Sequence, residues 1–102
     1  MPTITIVDET TSGATAPGWA MRIPGEAVRL DELIRRRVCQ EVAASGSAAD
    51  PEERVRAALD AFARNGFVVL VDDRQVTEPD ETVELRAGSR VTFLKLVPLV
   101  GG

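Results

Sequence analysis

The first two apolar segments of the chain have the character of β-strands. Residues 3–7, with the sequence TITIV, are dominated by β-branched side chains and predict an opening strand. A polar stretch containing glycine and proline follows and predicts a long turn. Residues 19–23, WAMRI, then alternate so that Trp19, Met21 and Ile23 share one face of a second strand.

From Leu30 onward the apolar residues recur at the spacing of a helix. They lie three and four positions apart, which predicts a first helix from Leu30 to about Ala44 with one apolar face. Gly46 ends this helix, since glycine readily adopts the left-handed conformation found at helix ends. Cys39 lies beside the apolar face, and we interpret it as a packing residue rather than a reactive thiol. The apolar face consists of Leu30, Leu33, Ile34, Val38 and Val42.

A second helix is predicted over residues 51–65. Asp50 is suited to cap its N-terminus, and Pro51 is suited to its first position, where no backbone N–H is needed. Asn65 and Gly66 give the helix its end. Its apolar positions again follow helical spacing, and they are Val55, Ala58, Leu59 and Phe62.

The C-terminal third of the chain predicts a hairpin and a long last strand. Residues 67–71, FVVLV, are a β-rich run that a tight turn at residues 72–73 connects to the short return strand RQV. An acidic loop, TEPDE, and a short strand at TVEL follow. The last strand is predicted from Arg90 to about Leu96.

This order of elements predicts an α+β domain over residues 1–96. We expect a mixed sheet of four to five strands that packs on a helix, with the first and last strands as neighbours in the centre of the sheet. The helix at residues 51–65 is inserted into this arrangement. We expect residues 97–102 to form a flexible tail that ends in Gly101 and Gly102.

Composition narrows the classes of function. The 102 residues are 44% hydrophobic and 27% charged, and no apolar run reaches the roughly 18 residues of a membrane span, so we expect a soluble protein without a membrane partner. No secretory signal is visible at the N-terminus, which predicts a cytoplasmic location. A net charge of −4 and the lack of tyrosine argue against nucleic acid as a partner.

The sequence lacks the side chains that many catalytic and metal sites use. There is no histidine, and Cys39 is the only cysteine, which excludes an internal disulfide, a zinc cluster and the nucleophilic triads. No glycine-rich phosphate-binding loop occurs. Most enzyme mechanisms are excluded with them, although a catalytic carboxylate pair that only folding brings together is not visible in the sequence. We expect no metal site and no bound cofactor.

Residues 67–102 carry a resemblance to the ubiquitin family. The segment FVVLVDDRQVTEPDETVELRAGSRVTFLKLVPLVGG is similar to that family's hairpin, its glutamine followed by a hydrophobic residue (here Gln75 and Val76), its acidic loop, its short strand, and a last strand that leads to two glycines. The element order along most of the chain resembles the family's β-grasp fold. The departures are the helix at residues 51–65, which ubiquitin lacks, and LVPLV in place of ubiquitin's arginine-rich tail.

The ending LVGG is also similar to that of bacterial ubiquitin-like proteins whose operons encode an activating enzyme, a conjugating enzyme and a metal-dependent isopeptidase. This resemblance implies a protein modifier, which is a substrate of these enzymes and acts on no substrate itself. The activating enzyme would use ATP to adenylate the Gly102 carboxylate. The chain would then pass as a thioester to an amine of a target protein. The resemblance further suggests a chain that is monomeric when free, and a role in defence against phage.

The tail has the properties that entry into a narrow enzyme channel requires. The two final glycines have no side chains to block entry, and they permit unusual backbone angles. Pro98 restricts its own φ and disfavours helix at Val97, so we expect the tail to leave the sheet extended. Leu99 and Val100 are then available as apolar contacts for the enzyme.

Alternation along the strands predicts an apolar patch on the sheet face that points away from the helices. Val91 and Phe93 are expected to face the helices, which turns Leu94 and Leu96 outward. One of the two alternating sets on the preceding hairpin strand must also face away. The alternative is that a bulge or the second helix covers this face. The residues predicted to bind partner enzymes are Val68, Leu70, Leu94 and Leu96.

Lys95 is the only lysine, beside 11 arginines. If the chain is joined to amines through its C-terminus, only Lys95 and the N-terminal amine are available for self-conjugation, and long lysine-linked chains are disfavoured. The alternative is that the richness in arginine reflects the base content of the genome.

Two other functions remain open at the level of sequence. A sulfur carrier of the small β-grasp type would share the adenylation step and would then receive sulfur as a thiocarboxylate at Gly102. The inserted helix and the likeness of residues 67–96 to ubiquitin favour the modifier. A noncatalytic β-grasp interaction domain, in which the two glycines are incidental, is the third hypothesis.

Overall fold

The computed structural model describes residues 2–46 and 48–96, which form seven strands and two helices. The predicted α+β class and both predicted helices are confirmed. The elements are β1 (Thr3–Thr10), β2 (Trp19–Arg22), β3 (Ala27–Arg29), α1 (Leu30–Ser45), α2 (Pro51–Ala63), β4 (Phe67–Val71), β5 (Arg74–Val76), β6 (Thr82–Glu84) and β7 (Arg90–Lys95).

Five strands form one mixed sheet in the order β2-β1-β7-β4-β5. β1 and β7 pair in parallel at its centre, whereas the other neighbours are antiparallel. The predicted central pairing of the first and last strands is therefore confirmed. Together with the helices packed on one face, this arrangement is compatible with a β-grasp fold.

Strand β3 was not predicted, and it forms a separate two-stranded sheet with β6. Its three residues contain one large apolar side chain, Val28, which is too little for an alternating pattern. β1 also extends through Thr10, into the segment predicted as a turn, because residues 5–10 pair with β7. In both places a distant segment supplies the pairing, and local sequence carries little sign of it.

The ends of the helices follow the predicted capping. Gly46 has a φ of 64°, and its N–H donates to the Ala43 carbonyl group at the end of α1. The Asp50 carboxylate accepts a hydrogen bond of 3.1 Å from the Glu52 backbone N–H at the start of α2. α2 ends at Ala63, slightly before the predicted boundary, and Asn65 adopts a left-handed φ of 60°.

The hairpin between β4 and β5 turns at Asp72 and Asp73. Their φ angles of 47° and 71° are both positive, as a type I′ turn requires. The Asp72 carboxylate also accepts a hydrogen bond of 2.9 Å from the Arg90 backbone N–H. This contact fixes the hairpin to the start of β7.

Both helices contribute to one core on the same face of the five-stranded sheet, which we call the inner face. Val69 of β4 and Val91 of β7 are fully buried there, together with Leu33 of α1. α2 adds Val55 and Phe62 to this core. The second helix therefore packs on the inner face. The opposite surface of the sheet is called the outer face below.

Candidate functional site

Strand β7 is held on both sides until the described chain ends. The Lys95 carbonyl group accepts a hydrogen bond of 3.1 Å from the Thr11 N–H, and the Leu96 N–H donates to the Gly66 carbonyl group, also at 3.1 Å. The last described residue, Leu96, therefore lies at the end of the central strand of the sheet. The predicted conjugation and tail-recognition residues lie outside the described residues, and they are Val97, Pro98, Leu99, Val100, Gly101 and Gly102.

The predicted alternation of β4 and β7 is confirmed. Val91 and Phe93 are buried on the inner face, whereas the apolar outward residues Val68, Leu70 and Leu94 are only partly covered. Val68 lies opposite Leu94 in the antiparallel register of the two strands. The outward side chains form a patch in which Val68, Leu70 and Leu94 are half-buried and Leu96 is 37% exposed. Their role in binding partners stays a prediction.

Two further residues of the outer face extend this patch. Thr92 lies opposite Leu70 on one side and Val7 on the other, and it is almost completely buried between these neighbours. Val7 is half-buried. Neither residue was predicted from the sequence to belong to the patch. Alternation along β1 could have placed Val7 on the outer face, because Ile4 and Ile6 are buried on the inner face.

Lys95, the predicted self-acceptor, is exposed at the end of β7. Its backbone lies opposite Thr10 of β1 and Phe67 of β4. Its position in the alternation is that of Phe93, and it borders a cleft that opens on the inner side of the sheet. The role of its amine as an acceptor for the C-terminus of a second copy of the chain stays a prediction.

This cleft has a volume of about 670 Å³ and was not predicted from the sequence. It lies between the ends of β1 and β7, the start of β4 and the two helices. Much of its lining is apolar. Phe67 is tilted against Phe62 and Phe93 on either side, with ring centroids 5.6 and 5.9 Å apart. The principal apolar lining residues are Ile34, Val38, Ala58, Ala61, Phe67 and Phe93.

Arg37 lines the cleft together with Asp8, Glu9, Glu41 and Lys95, and its charge is compensated by two of these carboxylates. Its guanidinium carbon lies 4.6 Å from the centroid of the Phe93 ring, a cation–π arrangement. Nη2 donates a hydrogen bond to the Asp8 carboxylate of β1, and Nη1 donates one of 3.1 Å to Glu41 of α1. The Arg37 side chain is 19% exposed. These contacts join α1 to the edge of the cleft.

A second ion pair connects the two helices at the surface. Arg35 of α1 donates a hydrogen bond of 2.5 Å to the Glu52 carboxylate of α2. The hydrogen bond and the charge attraction lower the pKa of Glu52 and raise the pKa of Arg35. Both side chains are largely exposed, so the pair fixes orientation more than it adds stability.

Within residues 2–46 and 48–96, no group of three or more His, Cys, Asp or Glu side chains is arranged to hold a metal ion. In the same part of the chain, neither helix combines the length and the apolar character that crossing a membrane requires.

No protein family matches this sequence, and a search of the curated proteins finds no significant match. The features of the chain that bear on its function are the fold, the outer-face patch and the tail sequence.

Proposed function

We propose that this chain is a ubiquitin-like protein modifier. The Gly102 carboxylate attacks the α-phosphate of ATP in an activating enzyme, which forms an acyl adenylate and releases pyrophosphate. An enzyme thiol then displaces AMP to give a thioester. A target amine finally displaces the thiol and forms an isopeptide bond. The chain is the substrate throughout, and an isopeptidase hydrolyses the isopeptide bond to release the Gly102 carboxylate and the target amine.

One observation carries this proposal: the strand that leads to the diglycine lies at the centre of the sheet. β7 pairs with β1 on one side and with β4 on the other. A central strand resists fraying, because each side of its backbone is hydrogen-bonded. A tail that leaves such a strand has a fixed origin relative to the outer-face patch, which favours simultaneous binding of body and tail by one enzyme.

The outer-face patch supports the same proposal. Val68, Leu70, Leu94 and Leu96 form a partly covered apolar surface on the strand that precedes the tail and on its neighbour. Exposed apolar patches commonly mark sites where proteins bind. We propose that the activating and conjugating enzymes bind here while the tail enters their active sites.

The test is mass spectrometry of the complete chain incubated with ATP and the enzymes encoded beside its gene. We expect an ATP-dependent thioester of Gly102 with an enzyme cysteine, followed by an isopeptide bond between Gly102 and a target lysine. Matched controls are the Gly102→Asp variant, which replaces the residue to be adenylated, and a reaction without ATP. Neither control should form conjugates.

The other outcomes separate the competing functions. Replacement of an oxygen by sulfur at Gly102 would establish the sulfur carrier. No product from enzymes that are active on a reference substrate would favour the interaction domain. The chain isolated from its host provides an independent check, because the modifier requires a carboxylate at Gly102, whether encoded there or exposed by cleavage. A mature chain that continues past Gly102 contradicts the proposal.

A further inference from the structure

The apolar cleft lies directly beside the point where the described chain ends. Gly66 and Lys95 both line it, and the Leu96 N–H is bonded to the Gly66 carbonyl group at 3.1 Å. The described chain therefore ends at the rim of the cleft. Four extended residues span at most about 13–14 Å. Residues 97–100 are thus long enough to reach into the cleft.

Strand alternation matches the tail to the side on which the cleft opens. Phe93 and Lys95 both border the cleft, and they are two positions apart on β7. An extended continuation of the strand puts Val97 and Leu99 on this same side, and Val100 on the other. Pro98 favours that continuation, because it fixes its own φ and disfavours helix at the preceding residue.

The character of the cleft fits an uncharged apolar segment. Its floor and walls include Ile34, Val38 and the half-buried Phe67. Arg37 already has carboxylate partners in Asp8 and Glu41, so it offers little attraction to a charged ligand. Residues 97–102, VPLVGG, have no charged side chain. This apolar segment directly follows Leu96 in the chain, so its effective concentration at the cleft is high.

We propose that the cleft is a docking site for residues 97–100 of the same chain, with Val97 and Leu99 as the anchoring side chains. In the docked state these side chains are shielded from water, and the two glycines extend past the cleft. An enzyme that takes up the tail must first displace it. This consequence for conjugation rests on the proposed function, whereas docking itself is a property of the isolated chain.

The test is NMR of the complete chain with labelled methyl groups and no enzyme present. We expect nuclear Overhauser contacts from the Leu99 methyl groups to the Phe67 and Phe93 ring protons. The Leu99→Ser variant should shift the methyl resonances of Ile34 and Val38 towards the positions seen in a chain that stops at Leu96. Val100→Ser is the matched control, because it removes an apolar side chain of the opposite alternation and should leave those resonances almost unchanged.

Contacts from Leu99 to Val68 or Leu70 would place the tail on the outer face and overturn the proposal. Equal effects of Leu99→Ser and Val100→Ser, or no effect of either, would overturn it as well. A cooperative urea transition like that of the unchanged chain confirms that each variant is folded. Failure of docking leaves the conjugation assay unaffected, and failure of conjugation leaves these spectra unaffected, so the two proposals are tested separately.

Discussion

At the scale of single residues, Arg37 makes contacts that no other side chain can reproduce. Its guanidinium group forms two charged hydrogen bonds while its flat face covers Phe93. Lysine has neither the forked donors nor the planar group. We expect Arg37→Lys to lower the free energy of unfolding by about 1–2 kcal/mol, measured by urea denaturation.

Arg36→Lys is the control for this prediction, since Arg36 makes one exposed ion pair of 3.3 Å with Glu32 on the same helix. The Arg36→Lys variant should lower the free energy of unfolding by about 0.5 kcal/mol or less, as for other pairs at this helical spacing. Equal losses for the two variants would show that the contacts of Arg37 add nothing beyond an ordinary surface pair.

At the scale of elements, the sequence was most informative where one segment determines its own structure. Helical spacing and caps located both helices, and alternation located the inner and outer sides of β4 and β7. β3 and the extension of β1 depend on pairing with distant strands, which leaves little local signal.

One part of the candidate site could be predicted from the sequence, and the other part could not. The four residues of the outer-face patch follow from alternation within two strands. The cleft joins the ends of β1 and β7, the start of β4 and both helices, so it exists only after long-range packing. The aromatic residues that line it, Phe67 and Phe93, read from sequence as ordinary strand residues.

The contact between the two helices leads to a prediction about pH. Arg35 lowers the pKa of Glu52. The pair therefore stabilises the fold at pH values above 4.5, the ordinary pKa of glutamate. This stabilisation is lost as the pH falls through the lowered pKa. We expect Arg35→Gln to raise the pKa of Glu52, as followed by NMR titration of its side-chain carboxyl carbon. Arg64→Gln, at the far end of α2, should leave that titration unchanged. A Glu52 titration that is insensitive to Arg35→Gln would refute the pairing.

At the scale of the whole molecule, the two faces of the sheet differ in what covers them. The inner face carries the core and both helices, so polar substitutions there act on stability. The outer face carries the patch on the two strands nearest to the tail. A large change at the patch can therefore alter binding while the fold is kept, and adjacent positions of β4 allow the two effects to be compared.

Leu70→Asp and Val69→Asp make this comparison with one chemical change on opposite faces. Val69 is fully buried, and an unpaired carboxylate there should prevent folding. Leu70 is half-buried, so its variant should still unfold cooperatively but bind the activating enzyme about tenfold or more weakly, by calorimetry. Thr82→Asp, which adds the same charge at an exposed position of β6, should bind normally. Normal binding by a folded Leu70→Asp variant would remove the outer face from the enzyme interface, because a carboxylate at the centre of a contact surface cannot be desolvated without a partner.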